Sequence, residues 1–297
     1  MAPGDVKHDY HLVEPSPWPV VGSLGAFVML VGAVLWLNKA YAGFGVLAGI
    51  PWIFGIGLAL VLYTAAGWWR DVVLESVLRR EHTPIVKLGF RYGMVLFILA
   101  EVAFFAAWFW AYFNTALFPH QAGLGAWPPP GLVTSDPWQW PLLNTVILLT
   151  SATTVTWALH AIKAGDRQGT ILALALSVVL GTAFVLIQAH EYLHTPFTFG
   201  LNGAALGPLS DPAHARLSAG QGNLAAIYGS SVLMVIGLHS LHVVAGTVFL
   251  AVCLGRAIAG HFTPTRHFGF EAAAWYWHFV DAVWLFLFVT IYLSGRG

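Results

Sequence analysis

The chain has 297 residues, no net charge at neutral pH with its histidines uncharged, and a composition that is 58% hydrophobic and only 9% charged. Soluble domains carry about 25% charged residues, so this composition excludes a soluble domain and points to an integral membrane protein. A neutral chain offers no electrostatic footprint for nucleic acid, and the lone cysteine, Cys253, excludes an internal disulfide.

Residues 1–17, "MAPGDVKHDYHLVEPSP", form a polar tail without the apolar core of a signal peptide. Seven apolar stretches follow, at 18–37, 46–69, 88–117, 140–162, 169–193, 223–254 and 269–293. Each has the roughly 20 residues that a membrane span needs, and the long third and sixth predict tilt. None alternates like a strand, so the expected fold class is an all-α membrane protein of seven transmembrane helices, not a barrel. With the N-terminus inside, Lys7, Arg70, Arg79, Arg80, Lys87, Arg91, Lys163, Arg167, Arg256 and Arg266 lie on the inner side, against Lys39, Arg216 and Arg296 outside. That asymmetry predicts a cytoplasmic N-terminus and an outer C-terminus. The charge-dense stretch 70–91 separates a two-helix hairpin (18–70) from a five-helix bundle (88–297), with 71–87 expected as a cytoplasmic connecting loop. "GAWPPPG" at 125–131 reads as a stiff outer loop, and 196–222 as a Gly-rich one.

Seven helices invite a retinal protein, which needs a lysine in a helix core for its Schiff base. Lys7, Lys39, Lys87 and Lys163 all lie at helix ends or outside them. A helix holding two stacked haems needs histidines roughly four turns apart. His160, His190, His239, His242 and His278 give no such pair; one haem between two helices stays open at this point. No His-His pair and no second cysteine exist for a copper centre. "HEYLH" at 190–194 spells the zinc-protease motif, in which two histidines one turn apart hold the metal and the glutamate is the base. Pro196 ends the helix two residues later, no third ligand follows at the extended spacing, and no Asp-Gly dipeptide occurs. The favoured reading is an interfacial polar cluster and no metal site.

Ionisable groups inside spans are costly and mark candidate function. Glu101 lies about 20 Å into the third helix at 1.5 Å per residue. Both a hydrogen-bonded packing role and a ligand, lipid or proton role fit it. In the seventh helix Glu271, Trp275 and His278 share a face, and His278 and Asp281 are three apart and able to pair. Packing is the better account there, and also for His239 and His242. The three alanines 272–274 suit close helix packing. Trp69, Arg70, Arg79, Arg80 and His82 make an aromatic and basic rim at the inner interface, fitting either anchoring or headgroup binding.

"HDYHLVEPSPWP", "WWRDVVLES", "HTPIVKLGFRYGMVLFILAEVAFFAAWFWAYF", "WPPPG", "PLLNTVILLTSATTVTWALHA", "GLHSLHVVAG" and, most specifically, "HFGFEAAAWYWHFVDAVWLFLFVTIYL" closely resemble subunit III of cytochrome c oxidase, in order through all seven helices. Glu191 and Tyr192 match the family at the end of the fifth helix and His190 and His194 do not, so HEYLH is a local coincidence on a family position. Ser240 replaces a usual glycine.

The resemblance implies an accessory, non-catalytic subunit of a proton-pumping haem-copper oxidase. In that family the haem and copper belong to partner subunits, and this subunit binds none. Its partners would be subunit I, which reduces oxygen, and subunit II, which takes electrons from cytochrome c. The hairpin and the bundle would form a V whose cleft holds phospholipids. The family's lipid-contacting arginine and histidine fall on Arg70 and His82 and its carbodiimide-reactive carboxylate on Glu101, so that Trp69, Arg70, His82 and Glu101 are the expected lipid-binding residues. Tail histidines His8 and His11 would support proton uptake into subunit I. Gly/Ala-rich loops and the lack of a processing signal suggest a bacterial plasma membrane. The alternatives are subunit III of a quinol oxidase, often lacking the first two helices, and a stand-alone transporter relaying protons through Glu101 and Asp281.

Overall fold

The computed structural model describes residues 15–37, 51–79, 82–120, 126–128, 134–194, 199–201, 204–206 and 222–294. Seven helices in it are long and apolar enough to cross a membrane. They are α1 (Trp18–Leu37), α2 (Trp52–Leu74), α3 (Pro84–Leu117), α4 (Trp140–Ala164), α5 (Arg167–Leu193), α6 (Gly222–Ile258) and α7 (Phe268–Leu287). The chain divides into two compact units, residues 1–90 and 91–297, with the division inside α3.

The first unit is built on glycine. Gly22, Gly25 and Gly32 of α1 face Thr64, Leu60 and Phe54 of α2, and Gly57 of α2 faces Met29. A Cβ on Gly32 would fall on the backbone of Phe54, and one on Gly57 on the backbone of Met29. Bare Cα atoms therefore let the two antiparallel backbones touch, the packing that substitutes for the hydrophobic effect in lipid. Trp18 closes one end. Its ring lies edge-on to Tyr63 at 5.7 Å, and its Nε1 donates to Asp71 at 2.7 Å.

Where hydropathy alone places the end of the second span at residue 69, the helix runs on to Leu74 and then through a π-helical turn, Glu75–Arg79. Much of the expected loop at 71–87 is thus helical. A span ends where charges begin, but a helix need not. Its backbone bonds are internal, and Leu, Glu and Arg are strong helix formers. α3 begins earlier than expected for a local reason. Pro84 takes the first helical position, where no N–H is needed, and Thr83 Oγ1 accepts from Val86 N at 3.3 Å.

In the second unit α7 is the most enclosed span and α3 the least. Trp277, Trp284 and Phe270 of α7 are fully buried, and the three alanines 272–274 are buried as well. The indole of Trp277 occupies a slot floored by Gly181 of α5 and Gly246 of α6, and its Nε1 donates to Ser151 Oγ of α4 at 2.9 Å. Trp284 Nε1 donates to Thr145 Oγ1 at 2.9 Å. α4 and α5 meet in a tight turn: Gly165, at φ 77°, ends α4, and Asp166 caps α5 by accepting from Gly169 N at 2.9 Å. Arg167 Nη2 satisfies the end of α6 by donating to Ile258 O at 2.6 Å. One departure from an all-helical expectation lies between α5 and α6. Phe199–Leu201 (β1) pairs antiparallel with Ala204–Leu206 (β2).

Candidate functional site

Among the described residues, α3 reaches the rest of its unit through large rings and three polar ties. Phe105 meets the His242 ring at 4.9 Å, and Phe109 meets Phe286 edge-on at 4.6 Å. The ties start at Arg91, Glu101 and Tyr112, about 15–17 Å apart along the helix axis. Arg91 Nη2 donates to Glu271 Oε2 at 3.1 Å, and Tyr112 OH donates to the Thr290 carbonyl at 3.1 Å. The central tie joins Glu101 Oε2 to His242 Nε2 at 2.8 Å.

The chemistry of that pair follows from its other contacts. His242 Nδ1 lies 2.7 Å from the Leu238 carbonyl, an oxygen that only accepts, so Nδ1 carries a hydrogen. One further proton is then shared between Nε2 and the carboxyl. Carried by either partner, it leaves the pair neutral overall. A carboxyl in mid-span thus has its partner supplied by a neighbouring helix, which is how membrane bundles accommodate such groups. Tyr276 OH donates to the His242 carbonyl at 3.4 Å, anchoring the same turn of α6.

The remaining polar residues of α6 and α7 do not converge with this pair. Glu271 is held by α3, whereas His278 Nε2 lies 3.3 Å from Thr156 Oγ1 of α4. Seven-residue spacing on α7 therefore does not make Glu271 and His278 one functional group. His278 and Asp281 face each other at 3.6 Å, an ion-pair distance too long for a hydrogen bond. His239 is fully buried, its Nε2 donating to the Val280 carbonyl at 3.2 Å, with the rings of Phe184 and Trp284 beside it.

HEYLH separates by burial. His190 and His194 stack with ring centroids 4.2 Å apart beside Trp140, and His194 Nδ1 donates to the His190 carbonyl at 2.8 Å. Glu191 turns inward. Gln188 Nε2 donates to its Oε2 at 3.2 Å, and Asn144 Nδ2 donates to Gln188 Oε1 at 3.2 Å. An open cavity of about 200 Å³ lies over this end, lined by Asp136, Gln139, His190, Glu191 and His194 among others. Among the described residues no three His, Cys, Asp or Glu side chains gather as a metal-binding group.

The four residues assigned to lipid divide between the units. Trp69, Arg70 and His82 belong to the first and Glu101 to the second. Trp69 is 71% exposed, Arg70 is exposed beside it, and His82 packs edge-on against Phe90 at 5.0 Å. His8 and His11 lie outside the described residues. The Asn144–Gln188–Glu191 chain, the Arg91–Glu271 tie and the Trp18–Asp71 clip were not anticipated. Mid-helix Asn and Gln in "LLNT" and "LIQAH" were the available signal for the first.

Residues 8–206 and 219–296 match the sequence model of the family described as cytochrome c oxidase subunit III. Cytochrome c oxidase subunit 3 of Arabidopsis thaliana is 46% identical over 289 residues, 97% of each chain. The protein of that name from Marchantia polymorpha is 47% identical over 289 residues, again 97% of each. That from Cyprinus carpio is 44% identical over 288 residues, 97% of this chain and 98% of the relative. These relatives are eukaryotic and lend no support to the expected bacterial source.

Proposed function

Because the chain belongs to the cytochrome c oxidase subunit III family, we propose that it is the non-catalytic, multi-pass third subunit of a proton-pumping respiratory oxidase, sustaining proton uptake and the working life of the haem-copper subunit. The observation that carries the non-redox reading is how its membrane histidines are used. His242 has both ring nitrogens engaged, Nδ1 with the Leu238 carbonyl and Nε2 with Glu101, and so has none to offer an iron or copper ion. Haem and copper would then reside in subunits I and II, with cytochrome c reached through subunit II. Purification in mild detergent through a tag on this chain is expected to bring down haem, copper and both partners. Recovery as a metal-free single chain would sink the reading. The relatives named above are cytochrome c oxidase subunits, which favours that enzyme over a quinol oxidase.

The basic-residue asymmetry supports an N-terminus on the side from which protons are taken up. The Gly/Ala-rich loops are the feature that speaks for a bacterial plasma membrane. Arg70 and His82, with Trp69, hold a phospholipid headgroup in this reading, since a guanidinium donates two parallel hydrogen bonds to phosphate. Arg70→Ala should lower co-purified phospholipid and shorten the number of turnovers before inactivation. Unchanged lipid and unchanged lifetime would argue against it. His8 and His11 would exchange protons near neutrality, where imidazole titrates. Their double alanine variant should lose oxygen-consumption rate selectively at alkaline pH, and superimposable pH–rate curves would refute the role.

A further inference from the structure

HEYLH keeps one half of the zinc motif. The protease half is gone, because Glu191 turns inward to Gln188. The chelating half is intact. His190 and His194 stand one turn apart on α5, both exposed, with ring centroids 4.2 Å apart. Two ring nitrogens on one tetrahedral zinc, each at about 2.0–2.1 Å from it, stand about 3.3 Å apart. A small tilt of two stacked rings meets that spacing.

His194 is already oriented as a ligand. Its Nδ1 donates to the His190 carbonyl at 2.8 Å, which leaves the lone pair on Nε2. A backbone carbonyl on the far nitrogen is how metal-bound histidines fix their tautomer. His194 Nε2 and both ring nitrogens of His190 have no hydrogen-bond partner among the described residues. Trp140 backs the His190 ring at 5.5 Å.

The space in front of the pair suits a cation. Both rings line the open cavity of about 200 Å³, with the carboxyls of Asp136 and Glu191 beside them and no lysine or arginine. It lies where α4 begins and α5 ends, within reach of water. Asp136 accepts from Trp138 N at 3.2 Å and from Gln139 Nε2 at 3.3 Å, so it supplies charge more readily than a metal bond. The missing third ligand excludes a permanently held zinc. A labile ion completed by water needs no third side chain.

We propose that His190 and His194 form an exchangeable binding site for a divalent ion that prefers imidazole, such as zinc. Magnesium and calcium, which take oxygen ligands, are the wrong class. The site is particular to this chain, since neither histidine matches the family pattern at the end of the fifth helix.

Zinc uptake by the full-length tagged chain, purified in mild detergent with whatever subunits accompany it, tests the proposal. After a chelator wash, the protein is dialysed against micromolar zinc and its metal counted by mass spectrometry. The parent is expected to hold one zinc per chain more than the double variant His190→Gln, His194→Gln. Either single change should weaken binding at least about tenfold, the loss that changing even an outer partner of a metal ligand brings. Excess magnesium should not compete. Equal zinc on the parent and the double variant would mean an adventitious ion only and would overturn the site. A second measurement needs no variant. Saturating zinc is expected to protect His190 and His194 from diethyl pyrocarbonate, mapped on the peptide, while the exposed His120 goes on reacting. Unchanged modification of the pair would overturn the proposal as well.

Discussion

Trp277→Ala is expected to destabilise the five-helix unit by about 3–5 kcal/mol, the range for removing a large buried aromatic side chain. The indole is fully buried where α4, α5 and α6 surround α7, so its loss opens a void against three helices at once. The slot is as specific as its occupant. A Cβ on Gly246 would stand 2.9 Å from Trp277 Cε3, and one on Gly181 2.8 Å from Cη2. Gly246→Val should therefore cost about 1–3 kcal/mol by overpacking. Trp277→Phe should cost least. It fills most of the volume, and Ser151, which donates to the Leu148 carbonyl at 2.7 Å, keeps its own bond when the indole N–H is gone. The readout is the temperature at which the assembled complex loses this chain, ordered Trp277→Ala below Gly246→Val below Trp277→Phe. Equal losses for Trp277→Ala and Trp277→Phe would show that the slot is not what holds the bundle.

Glu101→Gln is expected to assemble like the parent while losing carbodiimide labelling at position 101, which needs a carboxyl there. The geometry gives the reason. With Nδ1–H fixed on the Leu238 carbonyl, Nε2 offers a lone pair that a glutamine N–H can occupy. His242→Ala is the damaging change. It leaves a carboxyl without its partner in mid-span, a cost of about 1–3 kcal/mol or more, and removes the central tie of a helix held largely by ring contacts. Replacing both residues with leucine should do less harm than His242→Ala alone, because no polar group is then stranded. Assembly yield of the parent, Glu101→Leu, His242→Leu and the double leucine variant measures the coupling. Strict additivity of the two single effects in the double variant would mean that the pair is not an interacting unit.

The spans, their order and the polar positions inside them were legible because hydropathy and depth are properties of one helix at a time. The short connection between α4 and α5 followed from the span limits at 162 and 169, whereas its left-handed Gly165 and its cap Asp166 were not singled out. What the spacing could not supply was partners. Glu101 and His242 are 141 residues apart, and no pattern within α3 or α6 says that these two meet. Glu271 and His278 read as neighbours on one helix and are claimed by different helices. HEYLH shows the same limit from the other side. The motif is defined along the chain, but inward rotation commits Glu191 to Gln188 and leaves the two histidines stacked on each other. The end of α2 was missed because the edge of an apolar run marks where a membrane stops, not where a backbone ladder stops.

The glycine seam of the first unit bears on how the protein is made. Its contacts all lie between residues 18 and 71, a separation closed by one short connection. Two helices that recognise each other by bare backbone need no polar group from later in the chain and no completed bundle to lean on. α1 and α2 can therefore leave the insertion machinery as a finished hairpin while α3 to α7 are still being synthesised. The later five helices differ, because their aromatic slot and proton-sharing pair join residues far apart along the chain, Glu101 and His242 being 141 residues apart.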